Sequence, residues 1–322
     1  MSLYAKLIGT GSYLPERVFS NADFEKIIET SDEWITTRSG IKNRHFIGEN
    51  QSIVDIVEIA AKRALEAAGI EASAIDGIIV GTTSGNRIFP SVANELQARL
   101  GITNGCPSFD LQAACSGFIY ALSVCDQFIK TGSMKTVLVI GAEVISHFID
   151  WTDRSTCVLF GDGAGAAIFT ASNTPGVLST HIHSDGRYSH VLYANNNFQE
   201  KGDMIPRPKI KMEGREVFKF AVNTLNDIVE ETLAKNNLSK EDIDWLVPHQ
   251  ANLRIIHATA KKLDLPMERV VVTVHEQGNT SAGSVPLALD EAIRDGRIKS
   301  GELVMLEAFG GGFTWGSALI RI

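Results

Sequence analysis

Apolar residues recur at three- and four-residue spacing from Phe118 through Ile119, Leu122, Cys125 and Phe128 to Ile129, which predicts a helix opening close to Cys115 and stopping near Gly132. Near-continuous apolar runs over 135–143 and 301–309 predict strands buried on both faces. Strand-like and helix-like segments alternate along the chain, as in an α/β protein, and the second half echoes the first about 167 positions later. The helix, loop and strand of 63–81 return at 231–248, with Leu65 matching Leu233, and Ile75 and Asp76 matching Ile243 and Asp244. The Cys115 helix with Gly117 corresponds to the stretch from Thr280 with Gly283, and the two end at Gly132 and Gly296. In this register Cys115 falls near Ser281, and His249 near Gly81. Two such halves, 1–174 and 175–322, would pack their helices together and set strand ends from both around one shared cleft.

Composition narrows the class. With 322 residues and 44% hydrophobic content there is ample core, and disorder is excluded. The net charge of −8 argues against a nucleic-acid binder. Cysteines 106, 115, 125 and 157 lack paired spacing, so they read as free thiols rather than a disulfide framework or a zinc site. No leader-like start and no apolar stretch of roughly 18 residues is present, so the expectation is a soluble cytoplasmic protein with no membrane insertion.

Cys115 lies in FDLQAACSGF (109–118), where a small-residue turn opens the helix. Unpaired first-turn amides and the positive end of the macrodipole favour thiolate, so the placement predicts a thiol held ionised. His249 follows the apolar strand 245–248, and Asn279 lies in the loop 276–283 before the helix that mirrors the Cys115 helix, so both should face the shared cleft. Each residue alone also fits a structural role: a buried thiol, a loop imidazole, a turn amide after Gly278. Cys and His together leave open a papain-type hydrolase, in which Asn orients the imidazole as general base, and a non-catalytic carrier-binding protein on an inherited fold.

The runs AACSG (113–117), PHQAN (248–252) and GNTS (278–281) together resemble the β-ketoacyl-acyl carrier protein synthase III family, the enzymes that start type II fatty acid synthesis. The similarity extends from GTGSYLP (9–15) and TSDEWI (30–35) through FGDGAG (160–165) to EAFGGGFTWGSA (307–318). It implies a thiolase-like five-layered αβαβα fold with two pseudo-duplicated halves, normally a homodimer, with a coenzyme A thioester as substrate and neither metal nor bound redox cofactor. By this resemblance Cys115 takes an acyl group, usually acetyl, from acetyl-CoA, with the amides of Cys115 and Gly311 as oxyanion hole. Malonyl on acyl carrier protein then loses carbon dioxide, His249 and Asn279 donate to the enolate oxygen, and Phe309 forms an apolar wall that disfavours the carboxylate. Degradative thiolases are similar but carry a second cysteine in the C-terminal glycine-rich stretch, whereas this chain has glycines at 310–312 and no cysteine after 157. Elongating synthases use two histidines, and the second position here is Asn279.

The same resemblance implies that Trp34, Arg38 and Arg154 hold the adenine and a phosphate of coenzyme A, and that Asn252 lines the pantetheine tunnel. Arg254, Lys261 and Lys262 form a basic stripe on a helix capped by Asn252, suited to an acidic carrier protein and widened by Lys209, Lys211, Arg215 and Lys219. Ile145, Phe160, Leu192 and Ile210, with Phe89 offered by the dimer partner, match the acyl pocket, and their bulk implies a short primer. GDGAG (161–165) departs from GxGxxG and is expected to permit close packing at a turn.

Overall fold

The computed structural model describes residues 3–195 and 209–322. Strands in the first half are β1 Tyr4–Tyr13, β2 Arg17–Ser20, β3 Asn43–Phe46, β4 Gly77–Gly81, β5 Ser108–Leu111, β6 Thr136–Val144 and β7 Asp162–Ser172. The second half contributes β8 Val177–Ser184, β9 Leu192–Ala194, β10 Ile210–Met212, β11 Trp245–Pro248, β12 Leu303–Gly310 and β13 Thr314–Arg321. Helices are α1 Asn21–Phe24, α2 Asp32–Ser39, α3 Ile53–Ala68, α4 Val92–Arg99, α5 Gly117–Lys130 and α6 Arg154–Cys157, then α7 Gly214–Asn236, α8 Leu253–Lys262, α9 Val274–Gln277 and α10 Ser284–Arg294.

The echo in the sequence becomes a repeated sheet. One sheet runs β1-β7-β6-β4-β5 and the other β8-β13-β12-β11. In each, β6 with β4 and β12 with β11 pair in parallel, and the two pairings beyond, β6-β7-β1 and β12-β13-β8, are antiparallel. A fifth strand, β5, flanks β4, whereas the second half keeps at that place only an isolated parallel bridge from Leu246 to Val270. Helices α3 and α4 cover the outside of the first sheet, α7 and α8 the outside of the second, and α5 and α10 lie between the sheets, giving αβαβα.

The middle layer explains why these segments fold as they do. All nine residues of β6 are buried, as a strand covered on both faces requires. Phe118, Leu122 and Cys125 of α5 pack with Val285 and Leu289 of α10, and with Val139, Phe169, Val304 and Leu306 from the two sheets. Each such buried Phe, Leu or Val contributes on the order of 1.5–3 kcal/mol. Helix α3 starts at a Ser52–Asp55 capping box and ends at Gly69 (φ 64°); α7 ends at the echo position with Asn237 (φ 55°). The GDGAG run proves to be extended rather than turned: Asp162 to Gly165 open β7, and a Cβ on Gly165 would stand 2.6 Å from Leu287 N, so the missing side chain lets α10 lie directly on the strand. No helix among the described residues is long and apolar enough to cross a membrane.

Candidate active site

Cys115 sits in a 3₁₀ turn, Ala114–Ser116, that leads into α5. Ala114 (φ 46°) and Ser281 (φ 51°), 167 positions apart, both take the left-handed backbone that non-glycine residues avoid. Hydrogen bonds to Thr314 hold the first of these turns: Thr314 Oγ1 donates to Ala113 O (2.9 Å), and Ser116 Oγ donates to Thr314 O (3.1 Å). The second turn brings Ser281 Oγ within 3.3 Å of Cys115 Sγ, donating to it. A Cβ on Gly310 would lie 2.6 Å from Cys115 N, so only glycine there lets the strand backbone approach the nucleophile's amide.

His249 is the first residue after β11, and its N–H donates to Glu307 O (2.9 Å). The buried Gln250 side chain fixes this strand end, donating to Pro248 O (2.8 Å) and Val271 O (3.0 Å) and accepting from the amides of Thr273 (2.8 Å) and Val274 (3.1 Å). Nδ1 of His249 lies 2.5 Å from Ser284 Oγ on α10. Burial pulls the imidazole down to about 3, so it is neutral at pH 7. Asn279 is held through its backbone, with N donating to Leu159 O (2.8 Å) and O accepting from Gly161 N (3.0 Å). Its Oδ1 accepts from Ser281 N (2.9 Å), which leaves the side-chain amide as a donor group.

One cavity of about 970 Å³ gathers Cys115, His249, Asn279, Ser281, Phe309 and Gly311 at one end, with Asn252 and Phe218 farther along. Ile145, Phe160, Leu192 and Ile210 line it too, as anticipated. Phe89 does not line it; it stands 82% exposed beside Ile88, which does. Trp34 meets both predicted partners, with Arg38 at 4.8 Å and Arg154 at 4.7 Å from its ring, so the guanidinium expected to clasp a base stacks on the indole itself. Asn252 caps α8 through Arg254 N (2.8 Å), and its amide donates to Arg38 O (3.0 Å), tying that helix to α2; Trp34, Arg38 and Arg154 themselves do not line the cavity. Arg254, Lys261, Lys262, Lys219 and Arg215 are exposed, but Lys209 and Lys211 are drawn to Asp150 (2.9 and 3.8 Å) and are not free positive charges.

The standing thiolate anticipated at Cys115 is overturned. Burial pushes the thiol up to about 12; the Ser281 hydrogen bond pulls the other way, and nearby Glu143 adds to the rise. Helix-end stabilisation fades within a turn and is worth at most about 2 kcal/mol, too little to offset desolvation of a buried sulfur anion. Burial thus favours the protonated thiol at Cys115.

Several contributing residues were not anticipated. Glu143 is buried, pushed up to about 7 by desolvation, and accepts from Thr83 N (3.1 Å) and the hydroxyls of Thr82, Thr83 and Ser84. Arg44, fully buried, donates to Asn21 Oδ1 and Val158 O and so anchors the β2–β3 segment under the loop that carries Phe160. The left-handed pair shifts the echo by one position from the register read in the sequence, so Ser281 and Ser284 stand where the first half has Ala114 and Gly117, and Ser281 does not match Cys115.

Carbon–carbon bond formation between thioesters asks for a sulfur that can both take and release an acyl group and for neutral donors that receive enolate charge. A cavity that gathers a thiol, a neutral imidazole and a side-chain amide within αβαβα layers fits a thiolase-fold condensing enzyme. The family models described as 3-oxoacyl-[acyl-carrier-protein] synthase III and its C-terminal part match residues 109–186 and 233–322. The chain is 60% identical over 321 residues to the beta-ketoacyl-[acyl-carrier-protein] synthase III of Alkalilimnicola ehrlichii, covering 99% of each. The crystal structure of 3-oxoacyl-[acyl-carrier-protein] synthase III from Aquifex aeolicus is similar with a TM-score of 0.93 and 47% identity, covering 99% of this chain and 100% of that one. The priming β-ketosynthase from the R1128 polyketide biosynthetic pathway gives 0.94 at 36% identity, covering 99% and 97%. The chain belongs to the 3-oxoacyl-[acyl-carrier-protein] synthase III family, acyl-transferring condensing enzymes of fatty acid synthesis.

Proposed function

We propose that this chain joins acetyl from acetyl-CoA to malonyl on acyl carrier protein, releasing carbon dioxide and coenzyme A and yielding acetoacetyl-acyl carrier protein. The observation that carries the reading is a buried thiol and a neutral imidazole from different halves of the fold lining one cavity. In the first half-reaction Cys115 Sγ bonds the acetyl carbon, the bond to the coenzyme A sulfur breaks, and the thiol proton ends on that sulfur. The amides of Cys115 and Gly311 stabilise the oxyanion. In the second, the malonyl bond to its carboxylate breaks, and the electron pair passes to the thioester oxygen, where His249 and Asn279 donate hydrogen bonds. Such donors typically contribute about 10²- to 10³-fold each. The carbanion attacks the acetyl carbon, the bond to Cys115 breaks, and the thiolate recovers a proton from water. Phe309, packed on Phe313 (ring centroids 4.7 Å apart), presents carbon to the departing carboxylate.

Trp34, Arg38 and Arg154 receive the adenine and a phosphate after Arg154 swings off the indole, and Asn252 lines the pantetheine path. The exposed Arg254, Lys261, Lys262 and Lys219 receive the acidic carrier protein. The chain works as a cytoplasmic homodimer of halves 1–174 and 175–322. Support for the dimer comes from β5, which lies at the edge of its sheet, and from the exposed Phe89, which would complete the partner's acyl pocket. The chemistry needs no metal or redox group, and among the described residues no three or more His, Cys, Asp or Glu side chains are grouped to hold a metal ion.

The test is incubation with a panel of acyl-CoA donors, peptide mass spectrometry for acyl-Cys115, and then addition of malonyl-acyl carrier protein. Acetyl-Cys115 that disappears with release of carbon dioxide is the expected result. Acyl-Cys115 that only hydrolyses, leaving malonyl intact, would instead indicate a hydrolase.

A further inference from the structure

Which nitrogen of His249 carries the proton decides what the ring can do: Nε2–H makes it a donor to an enolate, whereas a bare Nε2 makes it a base. The surroundings of Nδ1 settle this through one hydroxyl. Ser284 Oγ accepts from the Gln250 backbone N–H (3.3 Å) and lies 2.5 Å from His249 Nδ1. Among the described residues it has no other hydrogen-bond partner, and its side chain is buried. With a lone pair already engaged by Gln250, the hydroxyl hydrogen has a single acceptor within reach, the Nδ1 lone pair. The reverse arrangement, Nδ1–H donating to Ser284, would leave the buried hydroxyl hydrogen with no acceptor there.

We propose that Ser284 is a positioning residue: its Oγ–H donates to His249 Nδ1, locking the proton on Nε2 and aiming it into the cavity as a hydrogen-bond donor. This rests on the proposed condensation. In that reaction the Ser284 hydroxyl acts only on the step in which charge reaches the thioester oxygen; the proton stays on Nε2 throughout and no bond to Ser284 forms or breaks. Acetyl transfer to Cys115 makes no call on the tautomer. The same geometry takes His249 out of contention as the base that deprotonates Cys115, because its cavity-facing nitrogen has no free lone pair. Ser284 stands 167 positions after Gly117, so the second half has gained a hydroxyl where the first half has only hydrogen.

The test has two arms on the full-length enzyme. In the wild type labelled with ¹⁵N-histidine, His249 should report a protonated Nε2 and an unprotonated, hydrogen-bonded Nδ1 at pH 7. In Ser284→Ala, kcat for condensation should fall about 30-fold, with KM for malonyl-acyl carrier protein and the single-turnover rate of acetyl-Cys115 formation each within about threefold of wild type. Ser284→Thr, which keeps the hydroxyl, should return condensation to within about fivefold. A proton on Nδ1 in the wild type overturns the proposal even if the alanine variant does not fold. So does an alanine variant that condenses normally, or one that loses acetyl transfer and condensation equally. Wild-type enzyme that fails to decarboxylate malonyl-acyl carrier protein would instead reject the condensation reading itself.

Discussion

The turns at 113–117 and 280–284 share a backbone and differ in what they offer. Each has a left-handed residue, Ala114 or Ser281, ahead of a helix that runs between the two sheets, α5 or α10. In the first the next residue is Cys115; in the second it is Ala282, and the polar groups have moved to Ser281 and Ser284 on either side. One turn therefore presents the Cys115 thiol, and the other presents hydroxyls to that thiol and to His249. The same geometry occurs twice, and in the proposed reaction the few side chains that differ would divide acyl transfer from charge stabilisation.

That division can be broken from either side. Cys115→Ala should abolish the acyl-enzyme and lower condensation by about 10⁴-fold or more, while malonyl decarboxylation stays within about tenfold, as followed by release of labelled carbon dioxide. Gly310→Ala places a methyl 2.6 Å from Cys115 N and displaces the amide expected to hold the oxyanion. Single-turnover acetylation should fall about 10²-fold.

Buried ionisable groups sharpen the comparison through pH. Both carboxylate oxygens of Glu307 are buried without a hydrogen-bond partner among the described residues, and burial pushes the group from 4.5 up to about 8. Between those values the folded state keeps a proton that the unfolded state has released, so stability falls as pH rises. Glu307→Gln should remove about 2 kcal/mol of that loss between pH 5 and 8, measured by urea unfolding at both pH values. His249 has the opposite sign: its folded value lies near 3 against 6.5, so its contribution is lost as pH drops through that window. The smallest effect belongs to the surface. Lys261→Glu should raise KM for malonyl-acyl carrier protein about five- to tenfold and change acetyl transfer from acetyl-CoA less than twofold; equal loss in both would reject the basic stripe as the carrier's docking face.

The apolar periodicity of α5 and the unbroken run of β6 were legible because burial on a fixed period leaves its trace in sequence. The motifs around Cys115, His249 and Asn279 also anticipated that these three residues would line one cavity. What escaped depends on depth and on partners far away in sequence. Nothing local to Cys115 reveals that its sulfur is desolvated, so the ionised thiol inferred from the helix start failed. Lys209 and Lys211 read as free charges because Asp150, their partner, lies about sixty positions away. The run at 161–165 read as a turn because its glycines answer to groups far away in sequence, Gly161 to Gln277 O, Gly163 to the Leu287 side chain and Gly165 to the α10 backbone. Ser284 escaped because its partner, His249, lies 35 positions away in sequence.

The central claim, that the two turns serve separate steps, is tested most directly by His249→Ala with the half-reactions followed apart. Acetyl-Cys115 should form within about tenfold of the wild-type rate while malonyl decarboxylation falls about 10³-fold. Loss of acetylation in parallel with decarboxylation would contradict the account, because the imidazole would then be serving the thiol.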